Sequence, residues 1–305
     1  MQKAPPTPKG FRDIKPVVAK KRRDVINQIA DVLENNNFVP IETPTLEFAE
    51  TLTGKYGDEE KLIYKFTDRG ERELALRYDL TVPFARFIAN NQNLLTPTFS
   101  RYQFGQVFRG ENPQHGRYRE FTQFDFDTVG SIDPQEDVRI VNASLSAIRK
   151  LGFTDAILLI NDRSNFENVP IDVIRAVDKL HKVGLDGIKK ELLDKGFAQD
   201  DIDNHLYKIN NSKPTENLNL IFKKLEELGL SENKDYKFDA TLARGLDYYT
   251  GAIFELKPAS DPSALTIGSG GRYDNLIGMF AGRQIPAVGF SFGIDRIVDL
   301  LTNEA

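Results

Sequence analysis

The sequence predicts an α+β fold in which a largely antiparallel sheet is flanked by helices and interrupted by a helical insertion. Three observations carry this. Residues 62–130 are short runs rich in aromatic and β-branched side chains, the composition of strands. Apolar residues at three- and four-residue spacing in residues 17–36 and 138–150 mark amphipathic helices on either side. Between residues 169 and 233 the aromatic pattern gives way to charged helical segments, and strand-like sequence then returns. Residues 1–168 and 234–305 are therefore expected to form one main domain, with 169–233 as an inserted helical module. A chain of 305 residues suffices for this arrangement.

The elements follow in order. Residues 17–36 carry Val18, Val25, Ile26, Ile29, Val32 and Leu33 along one stripe, with Lys20 to Asp24 charged between them. Residues 38–44 form a short strand bounded by Pro40 and Pro44; because proline cannot donate to a ladder, it belongs at a sheet edge. Strands are expected at 62–66, 74–77, 101–109 and 121–129, with a helix at 82–90. Residues 156–160 are a buried-strand candidate. Helical segments at 173–182, 185–195 and 218–228 make up the insertion. Strands at 237–243, 249–256 and 264–267 and a helix at 293–303 close the chain.

Composition narrows the function. The sequence is 40% hydrophobic and 28% charged, ordinary for a globular protein. No run approaches the ~18 apolar residues of a membrane span, and residues 1–16 lack an apolar signal core, so a cytoplasmic protein without membrane contact is expected. Cysteine is absent and the three histidines, His115, His181 and His205, lack ligand spacing, which removes disulfides, thiol nucleophiles and a His/Cys metal site. A net charge of −5 argues against a surface-wide grip on nucleic acid but allows a local basic patch.

Chemistry concentrates in four segments. Arg109 ends the strand at 101–109; after a loop containing Glu111, Pro113, His115 and Arg117, the next strand presents Phe121, Gln123, Asp125 and Asp127 on one face by simple alternation. A guanidinium beside such a row suits an anion and a polar ligand. The second segment is Arg244-Gly245-Leu246-Asp247-Tyr248-Tyr249-Thr250-Gly251. The third, Gly268-Ser269-Gly270-Gly271-Arg272-Tyr273-Asp274, invites a dinucleotide-binding reading but lacks the third glycine and the helix that such a site needs. The fourth is the strand-then-helix pattern Val288-Gly289-Phe290-Ser291-Phe292-Gly293-Ile294-Asp295-Arg296.

These segments resemble the histidyl-tRNA synthetases of the class II aminoacyl-tRNA synthetases, with the likeness running from about Lys9 to Leu301. The first resembles class II motif 2 and the fourth motif 3, while Glu42-Thr43-Pro44 resembles motif 1, a dimer-interface element. The second resembles a run particular to the histidyl enzymes, and the third resembles the segment that closes over their substrate. Leu76-Arg77-Tyr78-Asp79-Leu80-Thr81-Val82-Pro83 is similar to a substrate-binding segment of one branch. Asp79 and Asp127 stand where other members carry glutamate, which keeps the charge but shortens the reach.

The resemblance implies a class II catalytic domain that makes histidyl-adenylate from ATP and L-histidine and transfers histidine to the 3′ end of tRNA(His). It implies Arg109 and Arg244 as catalytic residues, and Arg109, Glu111, Phe121 and Arg296 as ATP-binding. Asp79, Thr81, Gln123, Asp127, Arg244, Tyr248, Tyr249 and Tyr273 would bind histidine. Mg²⁺ would be held through the ATP phosphates, with Glu111 contributing. It implies a homodimer, and an acceptor-arm contact on the insertion at Lys189, Lys190 and Lys195. The anticodon-binding domain that family members carry after motif 3 has no counterpart before Ala305, so a catalytic core is expected. The competing expectation is a regulatory subunit of ATP phosphoribosyltransferase, a non-catalytic histidine sensor of the same fold. Such a sensor needs no phosphate-binding arginines, whereas this chain has Arg109, Arg244 and Arg296.

Overall fold

The computed structural model describes residues 5–113, 116–244, 248–259 and 265–302, apart from the side chains of residues 58, 181 and 182. The chain opens on helix α1 (Pro16–Asn35), with Pro16 at its first position, where an N–H is not needed. There follow β1 (Val39–Pro40), β2 (Leu46–Phe48), α2 (Ala49–Leu52), β3 (Lys65–Thr67), β4 (Glu73–Leu76), α3 (Thr81–Asn90), β5 (Phe99–Phe108), β6 (Glu120–Val129), α4 (Pro134–Lys150) and β7 (Ile157–Asp162). Helices α5 (Ile171–Val177), α6 (Leu180–Asp194), α7 (Gln199–Asn210) and α8 (Glu216–Glu227) precede β8 (Tyr236–Phe238), β9 (Ala252–Lys257), β10 (Gly268–Arg272), α9 (Gly278–Ala281), β11 (Ala287–Gly293) and α10 (Ile294–Thr302).

Eight strands form one sheet in the order β1, β5, β6, β11, β10, β9, β7, β8. Its interior is antiparallel, and the outermost pairs at each end, β1 with β5 and β7 with β8, are parallel. Register makes the two faces chemically opposite. One face carries Tyr102, Phe124, Phe126, Phe290, Phe292, Phe254, Leu256, Leu158 and Ile160, all buried in one cluster with the apolar stripes of α1, α4, α8 and α10. The alternate positions carry Arg101, Gln103, Gln123, Asp125, Asp127, Ser291, Ser269 and Glu255, paired strand by strand across the sheet. The aromatic face supplies the burial that holds the polar face flat and open.

Several expectations shift. The strands at 62–66 and 74–77 do not join the main sheet: residues Gly57–Leu62 form a 3₁₀ turn, and β3 and β4 pair with β2 in a separate three-stranded sheet. The strand at 237–243 contracts to β8, and that at 249–256 to β9. The strand expected at 264–267 lies instead at Gly268–Arg272, between β9 and β11; Ala264 lies outside the described residues, as does Asn303 of the closing helix. No strand is expected on the glycine run itself, because glycine has low strand propensity. It is a strand because it pairs with β9 on one side and β11 on the other, and glycine is needed there because the neighbouring backbone leaves no room for a side chain at Gly270. Within the span 169–233, α5 to α7 pack in a second cluster together with Leu242, Ala243, Tyr249 and Ile253, whereas Leu218, Ile221 and Leu225 of α8 belong to the main core.

A Cβ at Gly270 would lie 2.1 Å from the carbonyl oxygen of Gly289, a backbone atom that can yield only if β10 and β11 part. Gly270→Ala is expected to destabilise the protein by about 3 kcal/mol or more, the upper range for overpacking. Urea unfolding checks this, and a loss under about 1 kcal/mol would contradict it.

Candidate active site on the polar face of the sheet

The floor is built by alternation on β5, β6 and β11. Arg101 is fully buried, its guanidinium 4.1 Å over the Phe84 ring and 2.6 Å from Asp127 Oδ2. Tyr273 donates its hydroxyl to Asp127 Oδ1, so both oxygens of this carboxylate are engaged. Gly289, opposite Asp127 in register, has to be glycine: a Cβ there would sit 1.8 Å from Asp127 Oδ1. Gln123 donates to Ser291 Oγ at 3.0 Å, and its Oε1 is buried without a partner.

Asp79 forms a wall at the start of α3. It accepts from the Tyr56 hydroxyl at 2.9 Å and from the Val82 N–H at 3.0 Å, with the Thr81 backbone beside it. This is how a short acidic side chain suits a helix start. Burial raises the carboxyls of Asp79 and Asp127 above the usual range. Asp125, which is 2% exposed, is pushed up to about 7 by burial, against the pull of Arg101 and with the help of Asp127. Tyr248 brings the aromatic residues together, its ring 4.8 Å from that of Tyr249 and 6.0 Å from that of Tyr273.

Cations border this face, Arg109 close to Asp79. Arg109 lies one residue beyond β5, although its N–H still pairs with the Arg119 carbonyl at 2.9 Å and continues the hairpin ladder. Its guanidinium is 4.3 Å over the Tyr78 ring and 5.1 Å from the Phe121 ring centroid. Arg296, at the start of α10, donates to the Thr266 carbonyl at 2.8 Å. Burial, and then the neighbouring charges of Arg117 and Arg109, lower its pKa. Such mutual repulsion is relieved by an anion among the three. Glu111 is 3.4 Å from Arg117. Arg244 donates to Ser269 Oγ at 2.8 Å and stands 3.5 Å from Glu255, while its Nε is buried and unpaired.

The structure thus gathers the sequence-predicted residues around one face: Asp79, Gln123, Asp127 and Tyr273 with the Tyr248 and Tyr249 rings, Arg109 beside Asp79 through the Tyr78 carbonyl at 3.1 Å, Arg296, Glu111 and Phe121 around Arg109, and Arg244 next to the tyrosines. Gln114, His115 and residues 245–247 of the predicted segments lie outside the described residues. Arg101, Arg117, Ser269 and Glu255 also belong to this face, and sequence reasoning did not single them out. Alternation along 101–109 would have flagged Arg101, since it is two positions from Gln103 and opposite Asp127. Lys189 and Lys195 are less available than expected, tied to Asp203 at 2.7 Å and to Asp172 at 2.8 Å.

Comparison with known proteins points in the same direction. The family described as "Histidyl-tRNA synthetase" matches residues 10–183 and 185–297. The histidine–tRNA ligase of Aeropyrum pernix is 42% identical over 97% of this chain and 74% of its own length. That of Korarchaeum cryptofilum is 38% identical over 96% and 74%. Among solved structures, a histidyl-tRNA synthetase from Nostoc sp. PCC 7120 superposes with a TM-score of 0.81 at 29% identity, covering 98% of this chain and 75% of that one. A Bacillus halodurans protein described as an ATP phosphoribosyltransferase regulatory subunit/histidyl-tRNA synthetase shares the fold with a TM-score of 0.82 at 24% identity, over 99% and 85% of the two chains.

The raised carboxyl of Asp125 has a measurable sign. Its neutral form is favoured by folding, so its contribution to stability is whole below about pH 4 and is lost as pH rises through about 7. Relative to the unmodified protein, ligand-free Asp125→Asn should therefore gain stability between pH 4 and pH 8, by up to about 4 kcal/mol. Urea unfolding across that range measures the difference, and a pH-independent offset would contradict it.

Proposed function

We propose, since this chain belongs to the histidyl-tRNA synthetase family and is an aminoacyl-tRNA ligase, that the polar face of its sheet is where histidine is activated with ATP. The observation that carries this reading is the convergence of Arg109, Arg244 and Arg296 with Asp79 and Asp127 around one sheet face, from positions far apart in the chain.

In the first step a carboxylate oxygen of histidine bonds to the α-phosphorus of ATP and pyrophosphate leaves. In the second, a ribose hydroxyl at the 3′ end of tRNA(His) attacks the acyl carbon and releases AMP. Phosphoryl transfer depends mainly on positioning and on cations aimed at oxygens that gain charge. Arg109 and Arg244, both near Tyr248, serve that purpose, each with a charge that cannot be titrated away. Arg296 and Arg117 hold the distal phosphates, and Phe121 offers its ring to adenine. Asp79, Thr81 and Gln123 receive the α-ammonium, and Asp127 with Tyr249 and Tyr273 forms the imidazole end.

No cluster of three His, Cys, Asp or Glu side chains occurs among the described residues, while Glu111 places one partly exposed carboxylate beside Arg117. That donor set fits a magnesium ion brought by ATP, because Mg²⁺ is commonly held by phosphates, water and one or two carboxylates. Glu111 would hold it, and the ion would neutralise charge on the leaving pyrophosphate.

The enzyme is read as a cytoplasmic homodimer. A groove between α1 and β5, containing Ile14, Ile26 and Phe104, adjoins exposed Val39, Leu46 and Phe48; a second copy would cover these apolar side chains. The insertion, through Lys190 and its neighbours, is read as meeting the acceptor arm of the tRNA.

Histidine-dependent exchange of labelled pyrophosphate into ATP tests the reading, since a histidine sensor without catalysis supports none. In that assay Arg244→Ala should lose about 10²–10³ in rate, the usual effect of deleting one preorganised donor; near-normal exchange would remove Arg244 from the mechanism. Asp127→Ala should raise the KM for histidine far more than that for ATP, because a site of buried polar groups penalises unpaired partners. Equal effects on both would count against the assignment.

A further inference from the structure

On the reading just given, Arg244 is one of the cations that meet the reacting phosphate, and such a donor is effective only if it is already in place when charge develops. Both of its outer nitrogens are engaged: Nη2 donates to Ser269 Oγ at 2.8 Å, and Nη1 lies 3.5 Å from Glu255 Oε2. Ser269 and Glu255 are cross-strand partners on β10 and β9, so one pair of strands carries both contacts. The guanidinium is thereby anchored to the sheet.

Glu255 is itself held. Its Oε1 accepts the Thr266 hydroxyl at 2.9 Å and stands 3.1 Å from Lys257 Nζ, while Lys257 donates to the same hydroxyl at 3.2 Å. One carboxylate oxygen is fastened in this triangle and the other is turned to Arg244. Burial raises the Glu255 carboxyl, but Arg244, Lys257 and Thr266 outweigh it and hold it below the usual range, so it stays ionised at neutral pH. The Thr266 carbonyl meanwhile accepts from Arg296 at 2.8 Å, which joins the Arg244 anchor to a second arginine of the site. Lys257 is 7% exposed, and ions brought this far from water are a poor means of stabilising a sheet, because desolvation consumes most of their attraction.

We propose that Glu255 is a positioning residue for the adenylation step: clamped by Lys257 and Thr266, it holds the Arg244 guanidinium in the orientation that meets the α-phosphate, and through Thr266 it fixes the spacing between Arg244 and Arg296. Asp178, at the C-terminal end of α5, is a second carboxylate within the field of Arg244. Without the charge on Glu255 the guanidinium is free to turn toward Asp178, and the donor is no longer preorganised.

The test is Glu255→Gln, which keeps the shape and removes the charge, in histidine-dependent pyrophosphate exchange, with cooperative thermal unfolding as the check on folding. The rate at saturating histidine and ATP should fall about 10- to 100-fold, the effect of misplacing a reacting group by about 1 Å, while both KM values stay within about threefold. A double-mutant cycle separates positioning from packing. In an Arg244→Ala background, adding Glu255→Gln should cost no more than about twofold, because a residue that acts through Arg244 then has nothing left to position. If Glu255→Gln does not fold, Thr266→Val, which removes the hydroxyl held to Glu255, takes its place in the same cycle with an expected loss of about tenfold. A rate within threefold of the unmodified protein, a rise in KM alone, or losses that multiply in the Arg244→Ala background would each overturn the proposal and leave the synthetase reading intact. Absence of exchange in the unmodified protein would defeat both.

Discussion

Arg101 and Asp127 face each other across neighbouring strands with almost no access to water. Bringing two ions into such a place is costly, and the cost is recovered only when geometry is close and the remaining polar atoms find partners. The surrounding residues meet much of that demand, although Arg101 Nε is buried without a partner. Phe84 lies under the guanidinium, Tyr273 donates to the carboxylate, and Gly289 gives it space. Removing either ion would strand the other, so this pair constrains which residues β5, β6 and β11 can carry. The aromatic face beneath makes the arrangement possible by anchoring the strands independently of the polar side.

Much of this was legible in the sequence, for identifiable reasons. The α1 stripe and β5–β6 hairpin follow from periodicity, and strand alternation alone put Gln123, Asp125 and Asp127 on one face. The roles attached to Arg109, Arg244 and Arg296 came from resemblance to a family, since a lone arginine is silent about its ligand. The glycine strand β10 was missed because its cause is a neighbour: the Gly289 backbone forbids a side chain at Gly270, and that contact is invisible in a local window. Arg101 was missed because a buried arginine looks, in sequence, like any exposed one. Asp125 was seen as part of the face, but the burial that raises its carboxyl is set by residues far from it in the sequence.

A second network ties the beginning of the chain to its end. Arg12 and Arg22 both bind Asp295, and the same carboxylate accepts the Thr122 N–H at 2.7 Å. Arg12 also lies 3.5 Å over the Tyr118 ring, and the Gly10 carbonyl receives the Arg119 N–H at 2.9 Å. The loop after β5 is therefore clasped by residues more than a hundred positions earlier, next to the residue that precedes Arg296. Cations that must approach one another closely need this kind of external restraint, because their own charges push them apart.

The helices α5 to α7 share one apolar cluster with Tyr249, Ile253, Leu242 and Ala243. They cannot detach as a separate unit without stripping the backing from Tyr249, which borders the polar face of the sheet. Amide exchange in these helices and in the strand beneath Tyr249 should consequently belong to one cooperative opening event. Whatever loads or loosens the outer helices is thereby felt at the polar face as a change in how often it is assembled, with no need for a moving loop to carry the message.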